Sequence, residues 1–247
     1  MKSLICAARA GLLALCLCAA SAHASVVIGG TRVVFPAADG EVTVRLTNQG
    51  NSPALVESWI DDGNVQSTPD KVDVPFLVTP PLFRLEPNKD QNLRIVATPA
   101  QLPADRESLF WLNVLEVPPK PTGPDAATQN TLQFAVRSRL KLFYRPANLP
   151  GNPLKAPESL SWKLVSDDKG VALEARNPTP YYVTLTTVSI TVGGTTYQAE
   201  TGMVSPLGTL RLSAKNMPRG AAAGASVSFT SLDDYGASVS GKGTIAP

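Results

Sequence analysis

Short runs in which apolar and polar residues alternate recur along the chain, with turn-forming residues between them. Val42–Leu46, Val171–Ala175 and Val183–Thr186 are three such runs. Because successive side chains of a strand point to opposite faces, each run predicts a strand with one buried face. The 22 prolines and 18 glycines disfavour long helices, and no segment has the caps of a helix longer than a turn or two. The pattern therefore predicts an all-β fold.

A proline-rich stretch divides the chain. Residues 145–157 contain Pro146, Pro150, Pro153 and Pro157, a density typical of a stiff connector. The pieces on either side hold roughly 120 and 95 residues, each close to the ~100 of an immunoglobulin-like sandwich. We predict a first domain at residues 25–146, a linker at 147–157 and a second domain at 158–247. Residues 118–130, rich in Pro, Gly, Thr and Ala, are predicted to form a loop within the first domain.

The first 24 residues have the pattern of a secretory signal peptide. Lys2 and Arg9 precede an apolar stretch at residues 10–20, and Ala22-His23-Ala24 follows it. The apolar stretch is shorter than the ~20 residues that span a bilayer. We therefore predict cleavage after Ala24, and the alternative is an uncleaved anchor.

Removal of this segment would remove every cysteine and histidine of the chain: Cys6, Cys16, Cys18 and His23. Without them the mature protein cannot form disulfides, thiolate nucleophiles, histidine bases or Cys/His zinc sites. Two of the 22 basic residues would be lost, which leaves 20 basic against 20 acidic residues. A balanced charge argues against nucleic acid as a partner. We expect no metal and no cofactor.

Catalytic motifs are weak in this sequence. Ser138 and Lys141 have the S-x-x-K spacing of serine acyltransferases, which requires a helix, whereas these residues lie in an alternating run. Carboxylate pairs such as Asp61 and Asp62 are followed closely by glycine and are predicted to form turns. A hydrolase with two carboxylates from distant strands remains an alternative on residue types alone.

The stretch Leu132–Arg145 is the longest alternating run, and it predicts a strand of about 14 residues where 5–6 is usual. Two interpretations fit. It is either a central core strand with a few solvated charges, or an edge strand whose apolar side chains and nearby cations serve a partner. A long apolar edge is an aggregation hazard, so an edge strand of this kind needs a functional reason.

Several segments resemble signatures of the periplasmic pilus chaperones, the PapD-like family. The most specific is LPADRESLFWLNVLEVP at residues 102–118. The other segments are TPPLFRLEP at 79–87, KLFYRP at 141–146, NPTPYYV at 177–183 and DYG at 234–236. The resemblance extends over the whole predicted mature chain.

The resemblance implies two immunoglobulin-like β-sandwich domains joined at an angle with a cleft between them. It also implies a periplasmic protein that is not an enzyme and has no small-molecule substrate. Family members bind pilus subunits, whose incomplete sandwich they fill with their own long edge strand, and deliver them to an outer-membrane usher. From their place before the KLFYRP segment, Leu132, Phe134 and Val136 match the donor residues of that strand.

The family also binds the subunit's C-terminal carboxylate with two cations in the cleft, which Arg32 and Lys141 match. Pure alternation would place Lys141 on the face opposite the donor residues, and a β-bulge or a strong twist would be needed to bring them to one face. Glu107, Arg145 and Asp234 match an ionic cluster that joins the two domains in the family.

The short loop at 118–130 and the absence of cysteine after residue 24 resemble the short-loop branch of the family, which builds rod-like pili. The sequence leaves open whether the free protein caps its own open edge by dimerising or stays monomeric. The main alternative function is a two-domain immunoglobulin-like adhesive or structural subunit of a surface organelle.

We predict that the exported protein begins at Ser25. Its intact mass should equal that of residues 25–247, whereas retention of residues 1–24 would contradict the assignment. Since no cysteine would remain, its melting temperature should be the same with and without a reducing agent.

Overall fold

A computed structural model describes residues 25–120, 132–167, 170–217 and 225–245. The predicted signal peptide at residues 1–24 lies outside the described residues, as does all but the first three positions of the predicted loop at 118–130. Two short 3₁₀ helices, Pro69–Lys71 and Pro153–Ser159, accompany the strands.

The first domain is a sandwich of two sheets, with strand orders β1-β3-β7-β5 and β2-β9-β8-β4-β6. Neighbouring strands are antiparallel apart from the parallel pair β2 and β9. The strands are β1 (Val26–Ile28), β2 (Arg32–Pro36), β3 (Glu41–Asn48), β4 (Ala54–Asp61), β5 (Phe76–Thr79), β6 (Leu82–Leu85), β7 (Asp90–Ala97), β8 (Ser108–Val117) and β9 (Val136–Arg145).

The second domain is also a sandwich. One sheet has the order β10-β11-β15, and the other has the order β13-β12-β16-β17 with β14 paired to β12. The strands are β10 (Ser161–Asp167), β11 (Gly170–Arg176), β12 (Val183–Val192), β13 (Thr195–Gln198), β14 (Gly202–Val204), β15 (Thr209–Ser213), β16 (Ser226–Leu232) and β17 (Ser238–Thr244). The predicted all-β fold of two immunoglobulin-like sandwiches is confirmed.

Alternation along the strands builds a separate core in each domain. In β3, Val44 and Leu46 are buried and Arg45 is exposed between them. Full burial of such a side chain contributes about 1.5–3 kcal/mol, which holds the two sheets together. Part of the stretch predicted as a linker packs on the second domain. Ala156, in this stretch, is buried in that domain's core.

Strand β9 is shorter than the sequence predicted. It has ten residues and begins at Val136, so the prediction of a strand from Leu132 is wrong for its first four residues. The strand begins at Val136 because its pairing with β8 ends there, at the pair of Glu116 and Val136. Residues before Val136 extend past this pairing and have no described strand to bond.

The two halves of β9 have different surroundings. β8 pairs with one side of the strand from Val136 to Tyr144. On the other side, β2 covers only the second half, from the Arg32–Lys141 pair to the Pro36–Arg145 pair. No described strand covers Val136–Leu140 on that side. β9 is therefore an edge strand in its first half and a central strand in its second, so both sequence interpretations hold in part.

Candidate functional site

The side chains of β9 alternate without interruption. Leu140 and Leu142 are buried in the first core, while Arg139 and Lys141 lie on the outer face of the sheet. The register with β8 shows no bulge along its full length. Lys141 therefore lies on the face opposite Val136, and no irregularity of the strand brings the two to one face.

The predicted donor residues stand at the start of the open half of β9. Leu132 is 78% exposed, Phe134 68% and Val136 41%. Leu132 and Phe134 precede the strand, and Val136 is its first residue. Large apolar side chains at an unpaired strand edge are typical of a surface that binds another chain.

The structure places the two predicted anchor cations side by side. Arg32 begins β2 and is the direct cross-strand partner of Lys141. Burial lowers the pKa of Lys141, and the neighbouring Arg32 charge lowers it further. Burial also lowers the pKa of Arg32, which the charges of Asp234 and Asp233 partly oppose. Both cations thus lie in a partly desolvated position, and the Arg32 charge disfavours the charged form of Lys141.

Neither cation has an ion-pair partner among the described residues. Within the described parts of the chain, Arg32 and Lys141 form no ion pair with a carboxylate. Arg32 donates a long hydrogen bond of 3.5 Å from Nη1 to the Leu232 carbonyl, and its buried Nε has no partner among the described atoms. Lys141 Nζ lies 5.8 Å from the ring centroid of Trp111. A desolvated pair of cations of this kind attracts an anion, because charge-assisted hydrogen bonds would offset the cost of burial.

Glu107, Arg145 and Asp234 meet at the junction of the two domains. Arg145 Nε donates to Glu107 Oε1 at 2.7 Å, and its two terminal nitrogens donate to the Asp234 carboxylate at 2.8 and 2.9 Å. Glu107 Oε2 also accepts the backbone N–H of Tyr182 at 2.7 Å. Arg145 and Glu107 belong to the first domain and Asp234 and Tyr182 to the second. The cluster therefore joins the domains directly.

Burial and ion pairing act in opposite directions on the pKa values of Glu107 and Arg145. Glu107 is only 3% exposed, and burial raises its pKa although the Arg145 charge and the hydrogen bond from Tyr182 oppose the rise. Burial would lower the pKa of Arg145, but its bonds to Asp234 and Glu107 outweigh this and raise it above the usual value. The guanidinium is thus fixed as a cation.

A second contact between the domains joins Gly236 of the second domain to Thr31 of the first. The turn between β16 and β17 carries Gly236, whose φ is 84°. A Cβ at Gly236 would overlap the hydroxyl of Thr31, which immediately precedes Arg32. The close approach therefore requires a glycine, and it places the second domain beside the first anchor cation.

Asp61 has a larger role than the sequence predicted. Its Oδ1 does accept the N–H of Gly63 at 2.7 Å, as a turn residue would. However, Asp61 is 0% exposed and forms an ion pair with Arg139, and Asn113 Nδ2 donates to its Oδ2 at 2.7 Å. The prediction that Asp61 forms a turn is confirmed, and the structure adds a buried ion pair that the sequence analysis did not predict. The available signal was the spacing of Arg137 and Arg139, which places two guanidinium groups on one face of β9 and favours a carboxylate nearby.

The neighbouring side chains extend this network along the outer face. Arg137 donates to Asn113 Oδ1 through Nε at 2.9 Å and to the Val65 carbonyl at 2.9 Å. Its guanidinium lies 4.7 Å from the Trp59 ring centroid, and that of Arg139 lies 4.2 Å from the Trp111 centroid. In the open half of β9, Leu140 packs in the core on one face, and Arg137 and Arg139 form polar and aromatic contacts on the other.

The other motifs singled out in the sequence form no site among the residues that the structure describes. Ser138 and Lys141 lie on a strand, three residues apart and on opposite faces, so the helix that the S-x-x-K motif needs is missing. The described residues contain no group of three or more Asp, Glu, His or Cys that could hold a metal ion. Over the same residues, no helix is long and apolar enough to cross a membrane.

Comparison with known proteins gives matches over both domains. Residues 25–150 match the family model "Pili and flagellar-assembly chaperone, PapD N-terminal domain", and residues 155–243 match "Pili assembly chaperone PapD, C-terminal domain". The chaperone protein FimB/FhaD of Bordetella pertussis is 46% identical over 88% of this chain and 87% of its own length.

Solved structures of chaperones are also similar to this chain over both domains. The crystal structure of the YadV chaperone has a TM-score of 0.77 at 37% identity and covers 90% of this chain and 100% of its own. The SafB chaperone of Salmonella enterica, solved in complex with the SafA pilin, has a TM-score of 0.71 at 32% identity and covers 92% of this chain and 99% of the matched chain.

We predict that Asp61→Asn destabilises the first domain at pH 7 by about 3 kcal/mol, because it leaves Arg139 without its buried anion. Burial opposes ionisation of Asp61, but hydrogen bonds from Arg139, Asn113 and Gly63 outweigh it and lower the pKa. A lowered folded pKa stabilises the protein above the unfolded value of about 3.9, and that stabilisation is lost as the pH falls through the folded pKa.

Urea unfolding of wild type and variant at pH 7 and near pH 3 measures this difference. The gap in unfolding free energy should narrow at the lower pH. Asp62→Asn is the matched control, since Asp62 is exposed and its replacement should change stability by less than about 0.5 kcal/mol. A gap that stays constant with pH would show that the Asp61 charge contributes nothing.

Proposed function

The chain belongs to the family of pili assembly chaperones, and we propose that it binds pilus subunits in the periplasm by donor-strand complementation and delivers them to an outer-membrane usher. One observation carries the proposal: an open, apolar strand edge ends at two partly buried cations that form no ion pair with a carboxylate among the described residues. Together they fit an extended peptide that ends in a carboxylate.

The open half of β9 supplies the pairing surface. The backbone of Val136–Leu140 has β8 on one side and offers its other side to an incoming strand. This is the geometry of β-augmentation, in which main-chain hydrogen bonds supply affinity and alternate side chains enter pockets of the partner. Leu132, Phe134 and Val136 have the required spacing, and each would contribute about 1.5–3 kcal/mol on burial.

Binding also has an ordering cost. Residues 132–135 are outside β9 in the free protein and would join it when a subunit strand extends the sheet. Fixing the backbone costs about 1–2 kcal/mol per residue, which offsets part of the gain from the apolar side chains. The donor segment therefore binds strongly only when its side chains fill a groove, and this favours subunits that lack a strand.

Arg32, the first residue of β2, marks the point where the incoming strand must stop. β2 occupies the same side of β9 from Lys141 onward, so a strand added beside Val136–Leu140 meets β2 at Arg32. A subunit strand whose carboxylate lies there runs parallel to β9, as β2 does. The carboxylate then terminates the added strand in line with β2, so Arg32 and Lys141 can reach it although Lys141 is on the face opposite the donor residues.

The ionic cluster of Glu107, Arg145 and Asp234 would hold the angle between the domains and thus the shape of the cleft. Arg145 lies on β9 four residues after Lys141, so the same strand carries the donor edge, an anchor and the domain junction. The SafA–SafB complex supports a pilin as the partner class, because a relative with this fold binds one. In the free protein, pairing of two open edges would give a self-capping dimer.

Co-purification from the periplasm tests the proposal. The tagged protein should retain the pilin encoded beside its gene, identified by mass spectrometry, in a complex that is soluble only while the chaperone is present. If the protein instead polymerised into fibres by itself, it would be a structural subunit of a surface organelle.

We predict that Lys141→Ala or Arg32→Ala greatly reduces pilin capture and leaves the melting temperature within a few degrees of wild type. A charge-assisted hydrogen bond contributes about 1.5–3 kcal/mol, so the loss should be about ten- to a hundredfold. Lys89→Ala, at an exposed lysine outside the cleft, is the control and should capture normally. Unfolding of the Lys141 variant would assign that residue to a structural network, and normal capture would contradict its role as an anchor.

We predict that Phe134→Glu reduces capture by more than about a hundredfold, since a carboxylate would enter an apolar groove without a partner. Because Phe134 is 68% exposed in the free protein, its own stability should change by less than about 1 kcal/mol. Gln133→Glu places the same charge one residue away with its side chain on the other face, and should weaken capture far less. A large fall in the melting temperature of Phe134→Glu would show that this side chain belongs to the protein's own core.

A further inference from the structure

Trp111 lies beside the anchor Lys141 and has no role in the function described so far. It is on β8, directly across from Lys141 in the ladder with β9. Its ring centroid is 5.8 Å from Lys141 Nζ and 4.2 Å from the guanidinium carbon of Arg139. The indole is only partly buried, so it is not a core side chain.

We propose that Trp111 is a positioning residue, whose ring holds the Lys141 ammonium in the cleft, ready for the subunit's terminal carboxylate. The inference rests on the proposed function and adds the residue that orders one of its anchors. It concerns a side chain that acts through Lys141 and needs no contact of its own with the subunit.

The chemistry of Lys141 makes such a partner necessary. Its ammonium is at the end of a flexible four-carbon stem, and Arg32 beside it repels it from the cleft. An aromatic face attracts a cation by its quadrupole, and this attraction is larger where water is excluded. Without that contact the ammonium would gain both hydration and rotamer freedom by turning towards solvent.

An aromatic ring holds the cation without neutralising it. Arg139, which contacts the same indole, is neutralised by the buried Asp61. A carboxylate at the position of Trp111 would neutralise Lys141 in the same way and compete with the subunit. The ring therefore satisfies two requirements, a fixed ammonium and an undiminished charge.

A double-mutant cycle between Trp111→Leu and Lys141→Ala tests the inference. The probe is the pilin that co-purifies with the wild-type protein, and the measured quantity is its dissociation constant from the full-length mature chaperone. Trp111→Leu alone should weaken binding about three- to thirtyfold. In the Lys141→Ala background the same change should weaken binding by no more than about twofold, because the side chain it positions is gone.

Trp59→Leu is the matched control. Trp59 stacks with Arg137 on the same outer face, 4.7 Å from ring centroid to guanidinium carbon. Its replacement should change binding by the same factor whether Lys141 is present or replaced by alanine. Trp111→Phe, which keeps a smaller ring, should bind between wild type and Trp111→Leu, and it serves if the leucine variant does not fold.

The outcomes separate the two proposals. If wild type binds the pilin and Trp111→Leu or Trp111→Phe weakens binding equally with and without Lys141, the positioning role is overturned and the proposed function stands. The role is also overturned if both Trp111 variants bind as wild type does. If wild type binds no pilin, the proposed function fails, and the positioning role fails with it.

Discussion

The parallel pairing of β2 with only the second half of β9 is the constraint on which the candidate site depends. β2 begins at Arg32, so the edge of Val136–Leu140 that points away from β8 is left without a described strand. The same boundary brings Arg32 next to Lys141, which places two cations where the open edge ends. One strand terminus thus creates both a pairing surface and a charged stop, and together they suit the end of another chain.

Three of the four cations of β9 differ in how their charge is neutralised, although all three lie on the same face of the strand. Arg139 is paired with the buried Asp61, and Arg145 with Glu107 and Asp234. Lys141 lies between them and has the indole of Trp111 and the repelling charge of Arg32 as its neighbours. The balanced arginines stabilise the sheet and the domain junction. The unbalanced lysine gains an anion only when a partner supplies one.

Much of the fold could be predicted because strand patterns are local. The alternation of Val44 and Leu46 with polar residues predicted β3, and the prolines of residues 145–157 marked the passage between the domains. The length of β9 could not be predicted in this way. Its alternating residues continue back to Leu132, but a strand persists only where a neighbour accepts its hydrogen bonds, and the pairing with β8 ends at Val136.

Local patterns in the sequence predict the all-β class and the two sandwiches, and a family resemblance predicts the residues of the candidate site. Three features became visible only in the folded protein: β9 is half covered, Lys141 faces away from Val136 without a bulge, and Asp61 is buried and paired with Arg139. These features depend on residues that are far apart in the sequence. Side-chain alternation is a property of adjacent residues, whereas edge exposure and ion pairing depend on segments such as β2 and β9, which are more than a hundred residues apart.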